Sequence, residues 1–146
     1  MKHLKYFIFI SILLSSLNGF GQSTNNNWLE NLELTKKGKK KVLLVLLKEN
    51  LCEPTKGNLT KLLKNAYFIE ASKDYIIYKL EQKNYDYTSE ESMLFRKFQK
   101  DFKLTVTPAM AILNNKGELI KRINGCIACR KNVISQLAPN NPFLNN

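Results

Sequence analysis

The sequence predicts an α/β fold in which helices cover both faces of a sheet. Three observations carry this. Val42 to Leu47 is an unbroken apolar run between polar flanks, the pattern of a strand buried on both sides. Tyr75 to Leu80 is a second strand, rich in β-branched and aromatic residues. Apolar residues then recur at helical spacing in two places, at Leu59, Leu62 and Leu63 and at Leu94, Phe95, Phe98 and Phe102.

Taken in order, Trp28, Leu29, Leu32 and Leu34 predict a short amphipathic helix that ends in the Lys36 to Lys41 stretch, with Gly38 as its stop. The buried strand follows. It runs into Cys52-Glu53-Pro54-Thr55, where Pro54 suits the first turn of a helix because its missing N–H costs nothing there. That helix is expected to reach about Asn65, weakened slightly by Gly57. After the second strand comes a polar loop, Asn84 to Tyr87. Thr88 and Glu91 then have the spacing of a capping box at the start of the aromatic-rich helix. Pro108 to Leu113 reads as a third strand, Asn114-Asn115-Lys116-Gly117 as a hairpin turn and Glu118 to Ile123 as the returning antiparallel strand. Gly125 ends it. A last helix is expected over Cys126 to Leu137, burying Ile127, Val133, Ile134 and Leu137, with Pro139 beyond its end.

The chain has 146 residues, enough for one domain. Residues 1–21 are expected to be a signal peptide. They have a basic start with Lys2 and Lys5, an apolar run from Tyr6 to Leu17, and small residues at Gly19 and Gly21. The run is shorter than the roughly 20 residues a membrane span needs, although an uncleaved anchor is the competing reading. Residues 22–146 then form a single exported domain, periplasmic or secreted. Cleavage would remove the only histidine, His3, and lower the formal charge from +11 to +9. Without imidazole, Ser-His and Cys-His nucleophile pairs and His-based metal sites are excluded. The lysines are scattered, and the one dense run, at positions 36–41, reads as a solvated flank of the strand. No nucleic-acid partner, metal or cofactor is expected. Three cysteines, Cys52, Cys126 and Cys129, allow at most one intramolecular disulfide and leave a thiol over. Export makes disulfides chemically available, so the inventory points to thiol chemistry.

Three features together resemble the thioredoxin family, over about Trp28 to Leu137. Cys52-Glu53-Pro54-Thr55 lies where that family has Cys-Gly-Pro-Cys. Val106-Thr107-Pro108 lies where it has a loop ending in a cis-proline. Asn115-Lys116-Gly117 through Gly125 is similar to its terminal hairpin. The Asn- and Lys-rich chain, with Gly-Phe-Gly-Gln closing its leader, resembles exported thioredoxin-like proteins of Bacteroidota. The resemblance implies a three-layer α/β/α fold with a mixed central sheet and a nucleophilic role for Cys52. It also implies a cis Thr107–Pro108 bond and a substrate-binding surface formed by Pro54, Thr55, Thr107, Pro108 and Gly125. The residues themselves agree about Cys52, since a thiol at a helix N-terminus faces unpaired N–H groups that favour the thiolate.

The sequence also departs from that pattern. Thr55 replaces the second, resolving cysteine, Leu51 replaces a tryptophan, and Leu46 falls where the family has a buried acid. Cys126-Ile127-Ala128-Cys129 is a second C-x-x-C, at a sheet edge that the resemblance makes common to Cys52. Two uses are open to it: Cys126 resolves Cys52, or it pairs with Cys129 as a second dithiol. The competing reading is a structural disulfide. Two functions follow as expectations. One is thiol–disulfide exchange on exported proteins with thiols or disulfides, with catalytic Cys52, Cys126 and Cys129 and a membrane or periplasmic reductant. The other is a silent binding module that holds an exported partner.

Overall fold

The computed structural model describes residues 27–83, 87–123, 126–127 and 129–140. Strand β1 (Lys41–Lys48) is the centre of the domain, and Val42 to Leu47 are all buried. Its alternate side chains feed two separate apolar clusters. Leu43, Val45 and Leu47 join one, while Val42, Leu44 and Leu46 join the other. This is why the run is apolar without alternation: both faces of the strand are interior.

Helix α1 (Trp28–Gly38) precedes β1, and helix α2 (Glu53–Leu63) with the short α3 (Ala66–Ala71) follows it. Strand β2 (Tyr75–Gln82) leads to helix α4 (Glu90–Asp101), the hairpin β3 (Ala109–Leu113) and β4 (Leu119–Ile123), and helix α5 (Arg130–Leu137). The sheet order is β2-β1-β3-β4. β1 is parallel to β2 and antiparallel to β3, and β3 is antiparallel to β4. β1 and β4 therefore run in the same direction. Residues of α2, α3 and α5 share one cluster with the sheet. Phe95, Phe98 and Phe102 of and just after α4, with Trp28 and Leu32 of α1, pack on the other. The result is the expected three-layer α/β/α arrangement with a mixed sheet.

Several boundaries differ from the sequence reading, each for a local reason. Helix α1 runs through Lys36 and Lys37 and includes Gly38. The left-handed residue that ends it is Lys39, whose N–H bonds to the Thr35 carbonyl. The second helix ends at Leu63. The side chain of Asn65 then accepts from the N–H groups of Tyr67 and Phe68 and caps α3, a helix the sequence reading missed. Helix α4 is capped by Ser89, which accepts from the Ser92 N–H, one residue later than the Thr88 and Glu91 spacing suggested. The last helix starts at Arg130 with Cys129 as its N-cap residue, so Cys126 lies in the preceding turn. Ile127, Val133, Ile134 and Leu137 are nevertheless buried, as expected. The expected loop at residues 84–86, the signal peptide at residues 1–21, and Gly125 lie outside the described residues.

The hairpin turn forms as anticipated. Asn114 Oδ1 accepts from the N–H groups of Lys116 and Glu118, both at 2.9 Å. Gly117 has φ +83, and a Cβ there would stand 3.1 Å from the Trp28 ring. The turn thus needs glycine twice over, for its backbone and for the close approach of α1.

Candidate functional site: a thiol at the edge of the sheet

The parallel strands β1 and β2 carry the chain to one edge of the sheet. There Glu49 N–H bonds to the Gln82 carbonyl, and Leu51 N–H turns back to the Lys48 carbonyl. Leu51 is half-buried against the α2/α3/α5 cluster and pins the approach to the helix. Cys52 follows as the N-cap residue of α2, in extended backbone conformation, with Pro54 in the first turn. Its thiol is free and exposed. The Sγ atom lies 3.0 Å from Thr55 Oγ1.

That contact defines what Thr55 does. It stands where the family resemblance has a second cysteine, and it supplies a hydroxyl that can donate to a sulfur anion. The Cys52 thiol is held below its ordinary pKa chiefly by this hydroxyl. A smaller part comes from the Thr55 backbone N–H, which is already engaged by the Cys52 carbonyl at 3.0 Å. Slight desolvation and the carboxylate of Glu53 act in the opposite direction. Lys56 lies 3.8 Å from Glu53, an exposed pair of little energetic weight. The sequence marked Thr55 as a loss and a contact surface. Its role as donor was legible only in the i,i+3 spacing at a helix start.

Thiolate fraction sets the rate of thiol alkylation, so Thr55→Val should lower the rate at Cys52 several-fold at neutral pH. Its pH midpoint should shift upward, while Thr55→Ser should restore both. Iodoacetamide labelling across pH checks this, and equal midpoints in all three proteins would refute it.

The Thr107–Pro108 peptide is cis, as expected. Sheet register places it at the same edge of the sheet as Cys52. Leu46 pairs with Ala109, and Met110 pairs with both Val45 and Ile123. The segment after β1, the segment before β3 and the segment after β4 therefore all emerge at the same edge. Thr107 and Pro108 are half-buried, and Val106 beside them is exposed. Leu46 is fully buried among the apolar residues facing α1 and α4, so that position supplies no proton-transfer group.

Cys126 and Cys129 are joined by a disulfide, with Cα atoms 5.1 Å apart. Both residues are exposed. Cys129 N–H bonds to the Cys126 carbonyl, which also accepts from Asn132 Nδ2, so the link closes a turn feeding α5. Two of the three cysteines are thus paired with each other and the third is a free thiol.

A cavity of about 540 Å³ lies at the opposite edge, where β1 and β2 begin. Lys39, Lys41, Lys73, Asp74 and Tyr75 are among its lining residues, and it plays no part in the thiol chemistry. Among the described residues there is no cluster of three or more His, Cys, Asp or Glu side chains able to hold a metal ion, and no helix is long and apolar enough to cross a membrane.

No protein-family model matches the chain, and no curated protein matches it. Solved structures do. The chain is similar to a structure described as DsbH oxidoreductase, with TM-score 0.60 and 14% identity, over 79% of this chain and 83% of that one. It is similar to a disulphide isomerase from Xylella fastidiosa Temecula1, with TM-score 0.55 and 22% identity, over 75% and 85%. It is also similar to a thioredoxin from Thermus thermophilus, with TM-score 0.58 and 15% identity, over 77% and 82%. The fold is therefore thioredoxin-like.

Proposed function

We propose that this chain is an exported thiol–disulfide exchange protein whose nucleophile is Cys52. One observation carries the reading. An exposed thiol at the N-terminus of α2 lies within hydrogen-bond distance of the Thr55 hydroxyl, at the sheet edge where the cis Thr107–Pro108 bond also lies. The thiolate attacks a substrate disulfide, the Cys52–substrate bond forms, and the electron pair leaves on the second substrate sulfur. Exposure of the thiol suits a disulfide carried on another polypeptide, with Pro54, Thr55, Thr107 and Pro108 as the flanking surface. The similarity to structures described as an oxidoreductase and a disulphide isomerase supports this chemistry. The basic and apolar leader of residues 1–21 supports export to the periplasm or beyond, as does a disulfide in the domain. A membrane or periplasmic reductant would recharge the thiols there.

The test is insulin reduction and capture of mixed disulfides by wild type and by Cys52→Ser. Loss of essentially all exchange in the variant is expected. Equal activity would remove the redox reading and leave the alternative, a thioredoxin-fold module that binds an exported partner without turnover. Burial of Leu46 in place of an acid is the observation that favours that alternative.

A further inference from the structure

We propose that Cys126–Cys129 is a second reacting centre, and that the Cys52 thiolate exchanges with it inside one chain. The proposal rests on Cys52 being the nucleophile and adds the residues that load and unload it.

Three observations converge. First, β1 and β4 run in the same direction with β3 between them, and the cysteines follow their C-terminal ends by a few residues each. Val45 of β1 and Ile123 of β4 both pair with Met110 and so lie level; neighbouring strands are about 4.8 Å apart, which puts these two positions roughly 10 Å from each other. Second, the residues next to the cysteines share one apolar cluster. Leu51 packs against the same buried group to which Ile127 belongs, together with Leu59 and Ile123. Third, Cys52, Cys126 and Cys129 are all exposed, and no burial of the disulfide stands in the way of attack.

The position of Cys129 selects the direction. Cys129 is the N-cap residue of α5, and the positive end of a helix dipole favours a thiolate leaving group at that position. The Cys52 thiolate attacks Cys126 Sγ. The Cys52–Cys126 bond forms, the Cys126–Cys129 bond breaks, and the electron pair leaves on Cys129 Sγ. No outside oxidant is consumed.

A substrate dithiol then completes the cycle. Its first thiolate attacks Cys52 Sγ and releases Cys126 as thiolate. Its second thiolate attacks the substrate sulfur of the mixed disulfide and releases Cys52. The substrate is oxidised by two electrons, and Cys126 and Cys129 are left as two thiols. With the pair oxidised, as here, the chain acts on dithiols of exported polypeptides. With the pair reduced, the same steps reversed reduce substrate disulfides. Thr55 has no sulfur to do either, and the pair takes over the part of a second active-site cysteine.

The test uses Cys129→Ser, in which Cys52 and Cys126 are the only thiols. After full reduction, dilute protein is treated with diamide, alkylated and mapped by mass. The expected result is an intramolecular Cys52–Cys126 link whose yield is independent of protein concentration. Two alkylated cysteines, or links only between chains, would overturn the proposal. A second measurement needs no variant. Wild type is reduced, reoxidised with one equivalent of diamide and quenched in acid. Cys52–Cys126 should exceed Cys52–Cys129 several-fold among the linked peptides. Absence of any Cys52–Cys126 link at every quench time before the resting Cys126–Cys129 pairing is restored would again overturn it. Failure of this inference and failure of the Cys52 reading are separable, because insulin exchange by Cys52→Ser reports on Cys52 without reference to the pair.

Discussion

With Cys126 and Cys129 removed, Thr55→Cys should turn a chain that stalls at the mixed disulfide into one that releases it. The clearest background is a chain with Cys126→Ser and Cys129→Ser, in which Cys52 is the only sulfur nucleophile. A substrate bound through Cys52 then waits for an external thiol. In the structure, position 55 puts its side-chain oxygen 3.0 Å from Cys52 Sγ, and Cys126 and Cys129, which bracket a turn at the same spacing, already form a disulfide. A thiol at position 55 is therefore within reach of Cys52. Intramolecular attack by a well-placed group corresponds to effective concentrations far above any solution thiol, and an acceleration of about a hundredfold or more is a conservative expectation. Stopped-flow release of a fluorescent mixed disulfide reads it directly. Release at the rate of the Thr55 parent would show that the N-terminus of α2 cannot host a dithiol.

Phe95→Ala should remove a large share of the stability of the domain. Phe95 is completely buried on α4, in the cluster with Val42, Leu44, Leu46, Tyr78 and Phe98. It lies on the face away from α2 and α5, so its loss does not touch the thiol directly. Phe→Ala in a core costs about 3–5 kcal/mol, against a total of roughly 5–15 kcal/mol for a domain. Urea unfolding followed by Trp28 fluorescence is the measurement, since Trp28 packs on Tyr78 and Phe98. A midpoint shift corresponding to less than about 1 kcal/mol, below the usual range for such a change, would show that the α1/α4 layer contributes little.

Much of this architecture was legible in the sequence because β1 is so unambiguous. Six consecutive apolar residues can be buried only if both sheet faces are covered. The spacing of Phe95, Phe98 and Phe102 likewise identified the cover of one face. The misplaced helix boundaries were all at caps, and the strand ends moved by a residue or two. Ser89 and Thr88 are both capping residues by type, with Ser the better of the two, and the Thr88 and Glu91 spacing pointed one residue too early. The short α3 was invisible because six residues carry too little periodicity, although Asn65 was its signal. At the site, Cys52 and the cis Thr107–Pro108 bond were anticipated, the latter through the family resemblance. The pairing of Cys126 with Cys129 was one of several outcomes that three thiols permit. The hydrogen bond from Thr55 could not be weighed without coordinates, since a threonine at that position is equally a helix-start residue with no sulfur contact.

The sheet order has a consequence for how the chain comes together. β1 and β2 meet after a short excursion through α2 and α3, and β3 and β4 meet across a tight turn. The two pairs join along a single ladder, Val42 to Leu46 against Leu113 to Ala109. Its innermost partners, Leu46 and Ala109, are 63 residues apart in the chain, so closing that seam carries the largest loop entropy among the three strand pairings and is the slow contact in the topological sense. Cys52 belongs to one half and the Cys126–Cys129 pair to the other, and they share an edge only once the seam is made, so the site is assembled by the most long-range strand pairing in the sheet.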